Sequence, residues 1–441
     1  MIQLSDHFTY GRLLRFTFPS IIMLVFTSIY GVVDGFFVSN FVGKTPFAAV
    51  NFIMPLLMML GCTGFMFGSG GGALIARTLG LDERKKANEL FSLVVYSGAA
   101  SGVVLALLGF ALLRPVAALM GAEGQLLSDS VDYGRIILLA LPCYVLQYEF
   151  QCLFATAGKP QLGLYVTVAA GVTNMVLDAL FVAVFRWGLP GAAAATALSQ
   201  LVGGAAPLVY FARPNGSLLR LTACPFDGRA LLKTCTNGSS ELMSNISMSL
   251  VSMLYNVQLM KYAGEDGVSA YGVLMYVSMI FQAVFIGYSV GAAPVISYHY
   301  GADNRAEVRG VLGKSLLLTG LFSLLMFAAG ETLARPLAML FVGYDGGLLD
   351  MTARAFAIFS ISFLFSGFSI FCSSFFTALN DGLTSALISF LRTLVFQCAA
   401  VLIFPVFWKL DGIWLSIVAA EALALAVAGL FLAGKRKYYH Y

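Results

Sequence analysis

Charged side chains are scarce in this chain. They make up 11% of 441 residues, against about 25% in soluble domains, and this excludes a water-soluble globular protein. Histidine is nearly absent: His7, His299 and His440 are isolated, and no HExxH or Ser-His arrangement occurs. The seven cysteines (Cys62, Cys143, Cys152, Cys224, Cys235, Cys372 and Cys398) show no CxxC spacing, so neither a zinc site nor a disulfide framework is indicated. Cys224 and Cys235 share one polar stretch without further ligands. An enzyme, and a metalloenzyme above all, is therefore not expected, and no cofactor is implied. The net charge of +4 is modest and its basic residues are spread over short loops, which argues against nucleic acid as a partner. Gly68-Ser69-Gly70-Gly71-Gly72 lacks the Lys-Ser/Thr ending of a phosphate loop and sits in an apolar run, where it suits close helix packing.

Apolar residues are abundant: 59% of the chain, with a mean hydropathy of +0.86. Runs long enough to cross a bilayer as helices recur throughout, whereas the alternating ten-residue segments of a membrane barrel do not. The first run, with Pro19 and Asp34 inside it, reads as a retained span rather than a cleaved leader. An all-α polytopic membrane protein is predicted, with twelve spans at 14–38, 47–76, 90–113, 133–156, 162–185, 189–211, 234–260, 268–297, 311–330, 354–379, 383–404 and 411–433. The longest polar stretch predicts a linker over 213–233 between six-helix lobes 1–212 and 234–441. Of the 26 Lys and Arg residues, 17 fall at the termini and even-numbered connections, 8 at the odd-numbered ones, and Arg392 lies within a span. The positive-inside rule then places both termini in the cytoplasm.

The halves repeat. A shift of 221 residues superposes Gly43 on Gly264, Gly70 on Gly291 and Gly80 on Gly301, and carries Gly-x-Asp-x-Arg from Asp82 and Arg84 onto Asp303 and Arg305. An even number of spans per half gives both copies one orientation, related by a pseudo-two-fold axis along the membrane normal.

Two carboxylates lie deep in apolar runs, Asp34 in the first span and Asp178 in the fifth. A charge at mid-bilayer costs at least roughly 2.5–3.5 kcal/mol, so such residues mark ion or substrate paths by default. Counting 1.5 Å per residue puts Asp34, Asp178 and Thr196 of the sixth span roughly 6–10 Å below one membrane boundary. Asn174 precedes Asp178 by one helical turn and shares its face. Asp34, Asn174, Asp178 and Thr196 thus offer oxygen ligands and two acids to a proton or a hard cation such as Na⁺. Asn and Thr in membrane helices also serve simply to hydrogen-bond neighbouring helices.

Val32-Val33-Asp34-Gly35-Phe36-Phe37-Val38-Ser39, with Gly43 and Ala48-Ala49-Val50 after it, resembles the first-span signature of multidrug and toxic compound extrusion (MATE) transporters. Asn174-Met175-Val176-Leu177-Asp178 resembles their fifth-span motif, and Gly191-Ala192-Ala193-Ala194-Ala195-Thr196 with Ser199-Gln200 their sixth. The similarity extends over essentially the full chain. It implies an efflux antiporter of two lobes around a central cavity, with Asp34, Asn174, Asp178 and Thr196 as the cation or proton site of the first lobe. Some family members carry acids midway along the seventh span and in the tenth. Here Glu241 aligns with Ser20 near the inner end of the seventh span, the tenth has none, and Ser240 stands opposite Pro19. Coupling through the second lobe is therefore not implied.

Tyr30, Phe36, Phe37, Tyr144, Tyr148, Tyr276, Phe281, Phe285 and Tyr288 are candidate cavity walls for flat, lipophilic cations. Glu149 can attract such cations or cap a neighbouring helix. Glu241 reads either as a second cavity acid or as an interfacial side chain. Arg392 requires a carboxylate or helix-end carbonyls, and Glu421 has no evident partner. The expected function is export of amphipathic, often cationic, organic compounds in exchange for H⁺ or Na⁺ by alternating access, as a monomer among membrane lipids of a bacterial plasma membrane. The alternatives are a flippase for lipid-linked oligosaccharide or peptidoglycan precursor, whose pyrophosphate needs a basic cavity, and a membrane receptor or intramembrane enzyme.

Overall fold

The structure, a computed structural model, describes residues 2–343 and 345–441, apart from the side chains of Phe36, Ser39, Lys44, Thr45, Phe47, Glu265 and Phe341. The expectation for Phe36 thus lies outside the described residues. Among those described there is no strand. The first half comprises α1 (Tyr10–Phe37), α2 (Lys44–Gly61), α3 (Thr63–Gly80), α4 (Arg84–Leu119), α5 (Gly124–Thr156), α6 (Pro160–Asp178) and α7 (Gly188–Ala212). The second comprises α8 (Gly228–Gly301), α9 (Arg305–Val342), α10 (Gly346–Ser360), α11 (Phe363–Ala378), α12 (Gly382–Phe390) and α13 (Phe396–Tyr439). Side-chain caps satisfy exposed N–H groups at several starts: Thr9 at α1, Asp227 at α8, Asn304 at α9, Asp345 at α10 and Asp381 at α12.

Among the described residues nine helices are long and apolar enough to cross a membrane, or ten when the pair α10–α11, bent by 49°, counts as one. Two pairs of expected spans run on without an intervening loop, 234–260 with 268–297 inside α8, and 383–404 with 411–433 over α12, the helical turn Leu391–Val395 and α13. Each stretch breaks at a single residue, Gly264 (φ 64°, ψ −151°) and Lys409 (φ 51°, ψ −127°). The chain doubles back at both. The rings of Tyr255 and Tyr271 stack 5.4 Å apart across the first break, and Ser416 Oγ donates to the Ala400 carbonyl at 3.0 Å across the second. Sixteen residues of straight helix would separate such partners by about 24 Å. The expected second span is likewise divided, into α2 and α3 at Cys62.

Within the first half α5 is the central helix, packed by α2, α3, α4 and α7 and buried along most of its length. α4 instead exposes Val103, Val104, Leu107 and Leu108, as a lipid-facing helix does. In the second half α11 is central, against α8, α9, α12 and α13. The halves meet where α1 and α3 pack on α8, at the side carrying both termini. Glycines set that approach. A Cβ on Gly80 would overlap the Tyr298 carbonyl, and one on Gly301 the Arg77 carbonyl. One on Gly70 would overlap the Thr234 carbonyl, and one on Gly238 the Met66 carbonyl. Gly291 lies against Thr17, the same pairing that Gly70 makes with Gly238 when both are shifted by 221 residues. Asp82 and Asp303, superposed by that shift, both adopt positive φ, 61° and 54°.

The N-terminal segment seals this side. Leu4 and Phe8 are buried, Glu307 accepts from the Phe8 N–H at 2.8 Å and lies 2.7 Å from His7 Nδ1, and Lys314 Nζ donates to the Phe8 carbonyl at 2.6 Å.

Candidate functional site

Asp34 lies near the end of α1, and the chain continues as a π-helical turn, Val38–Val42. Asp178 ends α6, and a second π-helical turn follows it, Ala179–Val184. The two turns touch. Such turns break the regular i→i−4 ladder and recur at functional sites. α7 supplies Thr196 from a run of alanines small enough to let it close on α6.

These elements gather the four expected site residues into one cluster. Asn174 Nδ2 donates to Thr196 Oγ1 at 3.5 Å, and Thr196 Oγ1 donates to Asp34 Oδ1 at 3.5 Å. The Asp34 and Asp178 carboxyls are neighbours in this cluster, and each bears on the ionisation of the other. Asp34, Asn174 and Asp178 are all buried, Asp178 completely. Asn174 Oδ1 and both Asp178 oxygens have no donor while the two acids are ionised. Buried acceptors without donors are costly. One proton shared between the acids, or a small hard cation among the four oxygens, would satisfy them. The donor set therefore fits either H⁺ or Na⁺. Tyr133 of α5 also approaches Thr196 and the two acids, with its hydroxyl 3.7 Å from Met54 Sδ. Nothing in the sequence around Tyr133 distinguishes it from other aromatics at span ends.

The other expected residues divide. Tyr30 accepts from Gln147 Nε2 at 3.4 Å and lies within Coulombic range of Asp34. The Tyr144 and Tyr148 hydroxyls are 3.0 Å apart, and Phe65 stacks on Tyr148 at 4.4 Å, forming an aromatic wall. Phe37 stacks on Phe41 at 5.8 Å, and Tyr276 is 40% exposed. Glu149 differs from its expected place in a substrate cavity. It points from α5 against Gly98 of α4, fully buried and with no donor on either oxygen. Helix rotation decides this, since Tyr148 and Glu149 are adjacent and face apart by about 100°. Phe281 and Tyr288 pack among residues of the second half. Phe281 packs on Phe356 and Phe363, Tyr288 donates to Ser315 Oγ of α9 at 2.8 Å, and Phe285 is buried beside them. Glu241 is half-buried on α8. Arg392 and Glu421, left without specific partners by the sequence, pair with each other at 2.9 Å.

The MatE family model matches the chain twice, over residues 19–180 and 242–403. A relative is the multidrug export protein MepA of Staphylococcus aureus (strain MRSA252), 22% identical over 418 residues that cover 95% of this chain and 92% of the relative. The MepA of Staphylococcus saprophyticus is 23% identical over 429 residues, covering 94% and 91%. Among solved structures, the outward-facing conformation of a multidrug resistance MATE family transporter of the MOP superfamily superposes with a TM-score of 0.93 at 22% identity, covering 98% of this chain and 97% of that one. A MOP superfamily transporter from Pyrococcus furiosus superposes at 0.91 and 22% identity, covering 99% and 98%. The chain, with its two matches to one family model, belongs to the MatE family of transporters and is not an enzyme.

Proposed function

We propose that this protein exports amphipathic, often cationic, organic compounds by alternating access in exchange for H⁺ or Na⁺. The carrying observation is the cluster of Asp34, Asn174, Asp178 and Thr196, whose buried acceptors lack donors until a cation arrives. The reading is of twelve spans, with α8 and α12–α13 as hairpins, in lobes 1–212 and 234–441 joined by a cytoplasmic linker 213–233. Both termini are cytoplasmic and the chain works as a monomer in a bacterial plasma membrane. The double family match and the 221-residue register support two lobes, and the multidrug export proteins among the relatives support the cargo.

On this reading the glycine-mediated contacts of α3 with α8 close the cytoplasmic side, and the cation reaches the acids from outside. Its uptake joins the two carboxyls, draws α1 toward α6, and drives release of substrate. One charge crossing 100 mV supplies about 2.3 kcal/mol, enough for roughly fifty-fold accumulation. Dye efflux from sealed vesicles under separately imposed pH and Na⁺ gradients tests the reading. Efflux indifferent to both gradients would overturn it.

A further inference from the structure

The stretch Gly68–Gly72 of α3 is gripped from both sides. A Cβ on Gly70 would overlap the Thr234 carbonyl of α8, in the other half. One on Gly68 would press on the Glu149 carbonyl and on Cys152 of α5, and one on Gly72 on the Thr156 hydroxyl. Gly71 lies against Val94 of α4. This short stretch of α3 therefore separates the contact that joins the halves from the face of α5 that carries Glu149.

Glu149 is completely buried there, and among the described residues neither carboxyl oxygen has a donor. Its carboxyl fills the place that a side chain at Gly98 of α4 would take, since a Cβ on Gly98 would overlap Oε2. The titratable side chains on the surrounding elements supply no counter-charge. Cys152 is one turn further along α5, against the same Gly68, and Glu241 of α8 lies within Coulombic range of Cys152. Tyr148 turns to Tyr144 and Phe65, and Tyr96 of α4 is exposed, with its hydroxyl toward the Thr222 carbonyl. A carboxylate enclosed without a donor or a counter-charge is far costlier than the neutral acid. The closed arrangement thus holds Glu149 with its proton.

We propose that Glu149 is a proton-binding site that forms as the halves close on the cytoplasmic side. Closure takes one proton from the cytoplasm, which makes an O–H bond on the carboxyl. When α3 parts from α8, Gly68–Gly72 loses its backing and water reaches Glu149, about 10 Å along α5 from the inner end of the fourth span. The O–H bond then breaks, the proton returns to the cytoplasm and a hydrated carboxylate is left. The proton enters and leaves on one side, so it drives nothing by itself. It makes inward opening follow cytoplasmic pH: acid holds the contact shut, and rising pH releases it by at most tenfold per pH unit for one proton. This deepens the efflux reading and rests on it for alternating access alone.

The test reads the proton and the closure separately on the purified full chain. Infrared absorption at about pH 7, where an ordinary carboxyl is ionised, should show in the wild type a carbonyl band of an unionised acid that Glu149→Gln and Glu149→Met both lack. Closure is read by maleimide labelling of Cys235, half-buried on α8 next to Thr234, as the one remaining cysteine. Dividing the rate by that of either Glu149 variant at the same pH cancels the titration of the thiol. Between about pH 6 and 8 this ratio should climb several-fold or more. A spectrum that both substitutions leave unchanged, or a ratio that stays flat, overturns the site. Neither measurement involves transport. Efflux indifferent to every gradient would overturn the efflux reading and leave the band and the ratio to decide Glu149.

Discussion

Asp178 faces Asp34 across the contact of α6 with α1, and neither of its buried oxygens has any hydrogen-bond donor unless a proton lies between the two acids. On the function proposed above a cation completes the pair, which ties a packing fact, the meeting of two helix ends, to a binding requirement.

Replacing either acid by its amide supplies an N–H donor permanently. Asp178→Asn and Asp34→Asn are therefore expected to insert and fold as the wild type does, with thermal stability equal or higher, because a buried unsatisfied acceptor costs about 1–3 kcal/mol. Gradient-driven dye efflux in proteoliposomes should fall to the rate without a gradient. Wild-type rates in both variants would remove these residues from the coupling step.

The closed contact between the halves depends on the absence of side chains at Gly80 and Gly238, where a Cβ would overlap a carbonyl of the facing helix. Gly238→Val should separate α3 from α8 at the side carrying the termini. In a background where Cys235 is the one remaining cysteine, its half-buried thiol should react with a maleimide several-fold faster than in the glycine parent. Equal labelling rates would show that the contact yields elsewhere.

Glu307 holds the N-terminal segment through the Phe8 N–H and His7. Glu307→Ala should cost that segment about 1–3 kcal/mol and raise amide exchange over residues 2–9 by roughly tenfold or more. Exchange at the wild-type rate would mean that burial of Leu4 and Phe8 alone secures it.

Asp381, in the turn before α12, is the clearest source of pH-dependent stability outside the spans. Burial works to raise its carboxyl, but the Lys435 ammonium at 2.8 Å and the hydroxyl and N–H of Thr384 outweigh it and hold the group below its usual value of 3.8. A carboxyl lowered in the folded state contributes stability above its unfolded value and loses it as pH falls through the folded one. Asp381→Asn should therefore destabilise the protein at pH 7 by about 1 kcal/mol, given the half-exposed lysine. The two unfolding temperatures should converge below pH 3.8, and a constant gap down to strong acid would contradict the ion pair.

Much of this was legible because helices have a fixed rise and a fixed rotation. Asn174 and Asp178 are one turn apart, so their common face follows from spacing, and depth counting places Asp34 and Thr196 at the same level. What failed to follow was azimuth relative to neighbouring helices. Tyr148 joins the aromatic wall while Glu149, the next residue, turns into α4. Phe281 and Tyr288 share the apolar character of cavity residues yet pack within the second half. Tyr133 reaches the acids only because α5 is the central helix of its half.

By itself the chain's apolar periodicity determined a helical membrane protein, and its rare intramembrane acids singled out Asp34 and Asp178 as the candidate site. Those are local properties, set by the cost of exposing polar backbone or isolated charge to hydrocarbon. The tertiary structure alone decided which carboxylates would meet a partner, pairing Arg392 with Glu421, leaving Glu241 open and sealing Glu149 against a glycine. Such pairings depend on how whole helices rotate and cross, and that is settled by the packing of many side chains at once rather than by any short stretch of sequence.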